Sequence, residues 1–448
     1  MPELTIIVRE QTAATRKLLQ QIELRQSPSD DYDTLLNFLL GLCDQVDSEV
    51  EAVSNLLVSH PRVEVEQALQ QLLVFCSHVL REVHYYCENF DHADRLVIPN
   101  PTMQLLGKLA RDIRPNRPFI LRGTLQFNYM YNPIGRQLNR LARSISEEVS
   151  PIDENFCTLS LPLANSQNIL ANCILFHEFG HLIVDSLGLI QEVGKGLLLA
   201  TRTKIMHIIQ EHAQVGLQAD FDIMERVSNT NEILENWIHE SLADMIGLHL
   251  LGPAHLSSFL YWIRPFHSHE ADDPEHPSDS YRLRLMIDGV ESLGWKDFLA
   301  QETPAVWETV QRICRVGRQE GDYRYDAAAE SLPLLRQSIL EIARNACGAA
   351  TYRPEALVST KDSMLALLER GIPPAEMLDS GGEVFRQFDT VSILNAGWLF
   401  YEKDFPTWRE RFSHLNMIER GEFLSRLLTK AIEISFVKEA SSVLDQRK

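Results

Sequence analysis

The run Phe176-His177-Glu178-Phe179-Gly180-His181 sets two histidines four residues apart, with a carboxylate directly after the first. On a helix, residues four apart stand on one face over successive turns. Both imidazoles can then reach one tetrahedral zinc ion that keeps a position open for water, and Glu178 lies beside that water as a general base. A chain of this length and composition carries the motif by accident in roughly one case in 25, so its surroundings must decide.

Those surroundings are apolar. Ile169, Leu170, Cys173, Ile174, Leu182 and Ile183 fill the segment, with Ser166 expected as its N-cap and Gly188 as the residue closing its C-terminus. Such a helix is largely buried, and a buried carboxylate with two histidines is costly unless the groups bind a metal or find partners. A catalytic zinc needs a third protein ligand. Asp185 is one choice, although it sits on the same straight helix. The histidines His267, His269 and His276 form a loop cluster. Glu240, followed one turn later by Asp244, lies on a helix expected to open at Asn229 in a capping-box arrangement with Glu232 and to close at Gly252-Pro253. His207 and His212, five apart, diverge around their helix and read as surface or packing residues.

The pair Glu240-Ser-Leu-Ala243-Asp244 resembles the Glu-x-x-x-Asp helix of the gluzincin metallopeptidases. By that resemblance Glu240 is the third ligand, and Asp244 accepts a hydrogen bond from a metal-binding histidine and fixes its tautomer. Downstream, His276-Pro277-Ser278-Asp-Ser-Tyr281-Arg282 is similar to the His-Pro and Arg found in peptidases of the CAAX prenyl protease and HtpX type, with Ser278 where a second proline is common. The likeness covers three short motifs between residues 177 and 282. It implies a zincin-like domain with one zinc per chain, and its catalytic set is Glu178, His276 and Arg282.

Peptide hydrolysis at such a site runs through a water activated by zinc, with Glu178 taking its proton and passing it to the leaving amine. His276 is the first candidate to stabilise the oxyanion, a contribution of roughly 3 kcal/mol. Arg282 is expected to position the loop or bind substrate, and Tyr281 is a weaker alternative to His276. No Gly-x-Met-Glu-Asn segment of the kind that aminopeptidases use for a substrate amine stands in the chain, which favours an endopeptidase.

The elements that must position these groups read as an α+β fold, mostly α-helical, with a small β-sheet and the motif helix flanked by helical regions. Residues 1–92 carry apolar residues at helical spacing, including Leu35, Leu39, Leu42, Leu69 and Leu73. Their histidines and aromatics (His78, His84, Tyr85, Tyr86) read as packing residues. Residues 93–300 form the expected metallopeptidase domain, with strands at Phe119-Ile-Leu121 and Leu125–Tyr131 and a helix around 134–148. Cys157-Thr-Leu-Ser-Leu-Pro162 alternates like a half-buried strand, and Pro162 suggests a strand end or an edge, to which an extended peptide could add. Residues 301–448 read as a helical substrate-binding or regulatory domain, with apolar stripes at Leu334–Ile342 and Phe423–Ile432. The segment Ile393–Trp398 suggests close helix packing without chemistry.

Composition narrows the partners. A formal charge of −20 argues against nucleic acid, and Arg136, Arg140 and Arg143 read as a solvated helix face. The seven scattered cysteines suit reduced thiols. With no signal peptide and no apolar run of about 20 residues, the expectation is a cytoplasmic chain without a membrane partner. The expected partner is a protein or peptide substrate, with access gated by the flanking helices under a regulatory protein or ligand. The alternatives are a helical interaction protein with a non-catalytic zinc site and a zinc hydrolase of a non-peptide substrate.

Overall fold

The computed structural model describes residues 2–23, 30–59, 63–94, 100–113, 118–126, 128–146, 148–212, 219–263, 272–316, 322–378, 384–404 and 408–446. It is mostly helical, with a three-stranded sheet and a two-stranded hairpin. Two compact units emerge: residues 1–100 with 116–166, and residues 101–115 with 167–448. The boundary expected near residue 300 does not separate compact bodies, because helices on either side of it pack on one another in the second unit.

The first unit begins with three long helices, α1 (Pro2–Glu23), α2 (Asp30–Ser59) and α3 (Val63–Asp94), packed mutually through residues such as Val8, Leu35, Leu39, Val46, Leu73 and Val83. The chain then leaves for α4 (Asn100–Ile113), most of which belongs to the second unit, and returns as β1 (Phe119–Thr124), β2 (Met130–Pro133), α5 (Gly135–Ile145) and β3 (Cys157–Pro162). The arginines Arg136, Arg140 and Arg143 stand exposed on α5, the solvated face expected of them.

The sheet order is β1-β3-β2, so the expectation that β3 forms an edge is wrong. It pairs in parallel with β1 and antiparallel with β2, and all six of its residues are buried instead of alternating. Pro162 is tolerated because it is the last residue of the strand. The outer side of β1 is closed by α2, where Asp31 accepts the Phe119 N–H at 3.0 Å and the Tyr32 hydroxyl donates to the Leu121 carbonyl. Among the described residues the other edge strand is β2, whose residues are partly exposed or exposed.

The second unit is built on α6 (Leu175–Leu187), α7 (Leu189–His212), α8 (Ala219–Leu251) and α9 (Pro253–Ile263). Next come α10 (Asp279–Ser292), α11 (Lys296–Glu302), α12 (Pro304–Cys314), α13 (Tyr323–Cys347), α14 (Pro354–Val358) and α15 (Lys361–Glu369). The hairpin β4 (Glu376–Leu378) and β5 (Val384–Gln387), which the sequence reading missed, precedes α16 (Thr390–Leu399), α17 (Trp408–Arg411) and α18 (Met417–Gln446). Ile393–Trp398 is the tight packing site expected: a Cβ on Gly397 would lie 2.5 Å from Leu428, and Asn395 caps α9 by accepting the Ala254 N–H at 2.9 Å. Among the described residues no helix is long and apolar enough to cross a membrane, and the seven cysteines are free thiols, six of them buried.

Two expected helix starts are corrected. Helix α8 runs unbroken through Asn229, because Val227, Thr230, Leu234, Trp237 and Ser241 keep a buried stripe at helical spacing across it. Tertiary burial along that stripe overrides the local capping signal. Ser166 closes a short 3₁₀ turn instead of capping the motif helix, and its hydroxyl donates to the Leu163 carbonyl at 2.8 Å. The motif helix grows from a second 3₁₀ turn at 171–174, capped by Asn168, whose side chain accepts the Ala171 N–H at 3.1 Å. Gly188 ends α6 in the left-handed conformation, as expected, with φ of 62°.

Candidate metal centre

The centre forms where α6 crosses α8. At the crossing, a Cβ on Gly180 would lie 2.6 Å from the Ala243 carbonyl oxygen and 2.7 Å from its Cα, so the two backbones approach as closely as glycine permits. That approach brings the histidines of one helix to the carboxylates of the other. His177 Nε2 lies 3.2 Å from Glu240 Oε2, and His181 Nε2 lies 3.1 Å from Glu240 Oε1. The two Nε2 atoms are 3.0 Å apart. His177, His181 and Glu240 are all buried, with one donor atom from each within 4.8 Å of the others, a group able to hold a metal ion.

The donor chemistry fits a cation. His177 Nδ1 lies 2.9 Å from Asp244 Oδ1, an acceptor-only carboxylate, so the ring proton sits on Nδ1 and Nε2 presents a lone pair to the centre. Glu240 Oε2 is buried with no hydrogen-bond donor to it among the described residues. Lone pairs and a carboxylate converging on one point repel unless a cation or protons lie among them.

Arg282, near the start of α10, clamps this side of the centre. Its Nε and Nη2 donate to Asp244 Oδ2 and Oδ1 at 2.7 and 2.8 Å, a two-pronged pair, and Nη2 lies 3.4 Å from Glu240 Oε2. The guanidinium also lies over the Phe259 ring, 4.7 Å from its centre. Arg282, expected to position the loop or bind substrate, is buried and committed to Asp244 and Glu240. Asp244 is 1% exposed and holds both His177 and Arg282.

Electrostatics follow the geometry. Desolvation pushes both histidines toward the neutral ring. In His177 the Glu240 and Asp244 carboxylates overcome it and raise the pKa to about 10. In His181 desolvation prevails, aided by the neighbouring His177, and the pKa falls. Burial opposes ionisation of Glu240 and Asp244, yet the histidines beside Glu240, and Arg282 with His177 beside Asp244, hold both well below the usual carboxylate range. The ligands thus keep anionic carboxylates ready, and a divalent ion entering would displace the proton that His177 otherwise carries.

Glu178 is 8% exposed, and its carboxylate makes no hydrogen bond or ion pair among the described residues. His276 comes to the rim. Its side chain is 45% exposed, with Nε2 3.8 Å from Glu240 Oε1 and Nδ1 3.3 Å from Asp273 Oδ1. The Asp273 hydrogen bond raises the His276 pKa in spite of partial burial. The loop is tethered to α8 one turn before Glu240: Trp237 donates to the Asp273 carbonyl at 2.9 Å and Asn236 to the Pro274 carbonyl at 3.1 Å.

Other candidates fall away. Tyr281 is set among Arg336, Asp288 and Arg284, the charges that act on it. Asp185 is not a ligand, since its carboxylate lies 2.9 Å from His239 Nε2. His267 and His269 lie outside the described residues, as does the side chain of His212, while His207 is exposed beside Glu211. Sequence reasoning missed His239, whose Nδ1 lies 2.7 Å from His181 Nδ1, and Asp273, which orients His276. The available signals were local: His239 directly precedes Glu240, and Asp273 stands three residues before His276 in an Asx turn, accepting the Glu275 and His276 N–H groups at 2.7 and 2.6 Å.

Comparison with protein-family models, with curated proteins and with solved structures finds no match for this chain.

Proposed function

We propose that the chain is a zinc-dependent endopeptidase of gluzincin type, hydrolysing peptide bonds in a protein substrate. The observation that carries this reading is Glu178: a buried carboxylate, uncommitted among the described residues, beside a His-His-Glu cluster. A purely structural zinc site has four protein ligands and no use for a general base.

His177, His181 and Glu240 would hold the ion, one per chain. Bound there, zinc supplies Lewis acidity, polarising a carbonyl and lowering the pKa of water toward about 7. Glu178 accepts a proton from the attacking water and returns it to the leaving amine. His276, its pKa raised by the Asp273 hydrogen bond at the rim, donates from Nε2 to the oxyanion. Asp244 and Arg282 hold His177 and Glu240 in place and touch no reacting atom.

An endopeptidase with free access inside a cell would cut its host's proteins, so the reading includes restriction of the cleft by the flanking helical regions, released by a regulatory protein or ligand. Purified protein that degrades unrelated unfolded chains without an activator overturns the restriction.

The test of the activity compares cells expressing the wild type and Glu178→Gln by mapping new protein N-termini. Cleavages present with the wild type and missing with the variant are expected, while both purified proteins carry zinc. Identical maps overturn the peptidase. Wild type holding less than about half an ion per chain overturns the metal centre, since a buried three-ligand zinc site binds far more tightly than purification removes.

A further inference from the structure

We propose that His239 and Asp185 form a hydrogen-bonded relay that fixes the tautomer of His181 and so holds its Nε2 lone pair on the metal position. The inference rests on the metal centre above and assigns roles that the motif does not contain.

The relay is a closed circuit between the two helices. His181 on α6 meets His239 on α8, Nδ1 to Nδ1, at 2.7 Å, and His239 Nε2 returns to Asp185 Oδ1 on α6 at 2.9 Å. The two rings lie within 11° of parallel with centres 4.6 Å apart. Rings stacked face to face keep their atoms about 3.5 Å apart or more, so the short nitrogen contact is an edge-to-edge hydrogen bond.

Its direction follows from Asp185. A carboxylate only accepts, so Asp185 holds a proton on His239 Nε2, and in the ring with one proton Nδ1 then carries a lone pair. That lone pair accepts the Nδ1–H of His181, which leaves the proton off His181 Nε2. This nitrogen is the one 3.1 Å from Glu240 Oε1 and 3.0 Å from His177 Nε2. Successive residues of α8 thus serve opposite edges of one imidazole: His239 takes its proton and Glu240 shares its metal position. His177 receives the same instruction from Asp244 directly. With the wrong tautomer on His181 the centre would lose one of its three ligands.

His239 acts through His181 and is a positioning residue. The test measures zinc affinity by chelator competition and zinc release by stopped flow, together with the thermal midpoint of the zinc-free proteins. His239→Leu should bind zinc about 10- to 100-fold more weakly than the wild type. His239→Asn places an amide oxygen where Nδ1 stood, accepts the same proton, and should recover affinity to within about threefold of the wild type. Asp185→Ala, at a side chain 41% exposed, should weaken zinc by a few fold, at most about tenfold, with the zinc-free midpoint unchanged, which keeps the test open should the leucine variant not fold. Equal affinity in wild type, His239→Leu and Asp185→Ala overturns the relay, as does an asparagine variant no better than leucine. A wild type that binds no zinc overturns the metal centre and the relay with it; a wild type that binds while the variants match it overturns the relay alone.

Discussion

The two histidines of one motif are held by opposite means. His177 leans on a buried ionic cluster: Asp244 is 1% exposed, and Arg282 grips it with two hydrogen bonds inside the protein. His181 leans on another imidazole, His239, whose own support, the side chain of Asp185, is 41% exposed. The first arrangement stakes folding energy on the site, because a buried charge that loses its partner is expensive. The second stakes little, because water can replace an exposed carboxylate. The difference shows that one face of the centre is part of the core, while the other can be altered without dismantling it.

The largest effect should come from breaking the buried side. Arg282→Met leaves Asp244 without its two-pronged partner and should cost about 3–5 kcal/mol in chemical denaturation of the zinc-free protein, where Asp185→Ala on the other side costs less than about 0.5 kcal/mol. Equal losses at the two positions would erase the contrast.

A comparable loss, in rate and not stability, is expected at the rim. His276→Ala should lower kcat about 100-fold, close to 3 kcal/mol of oxyanion stabilisation, with zinc content and unfolding unchanged, since the side chain is 45% exposed. A variant that loses zinc instead would make His276 part of the ligand set.

Gly180→Ala strikes both sides at once, since its new methyl would lie 2.6 Å from backbone on α8 and push the helices apart. The expected cost is about 1–3 kcal/mol in denaturation, with zinc affinity falling in the same variant. Retained zinc affinity would show that the centre tolerates a wider crossing.

Acid gives a further test through two buried histidines, one of which, His255, lies within the influence of the ionic side. His255, fully buried within the influence of Asp244, His177 and Arg282, has its pKa lowered to about 3 by desolvation, and His249 has its pKa lowered to about 4 by desolvation and nearby arginines. In the unfolded chain both titrate near 6.5, so below about pH 6.5 the unfolded state binds more protons and gains relative to the folded one. Their contribution is complete above pH 6.5 and is lost as pH falls toward the folded values, each at up to about 1.4 kcal/mol per pH unit. His249→Gln should flatten the measured slope of zinc-free stability between pH 6.5 and 4, and an unchanged slope would remove His249 from the account.

Much of the candidate site was legible in the sequence, because helical spacing is local. The four-residue spacing of His177 and His181, and of Glu240 and Asp244, places side chains on one face whatever the rest of the chain does. The small residues Gly180 and Ala243 stood in the same motifs, and the crossing uses both. What the sequence misread depended on partners distant along the chain. Cys157–Pro162 carried an edge signal in Pro162, but strand order is set by which neighbours find both sides of it, and β1 and β2 do. Asn229 carried a cap signal that continuous burial along α8 overruled.

By itself, then, the sequence determined which residue types could bind a cation and on which helix faces they stand, since backbone geometry alone converts spacing into direction. Only the tertiary structure decided which groups meet across 38 or more positions: His239 at His181, and Asp244 shared by His177 and Arg282. Those pairings exist because two helices cross at a glycine, and neither helix contains the information about the crossing.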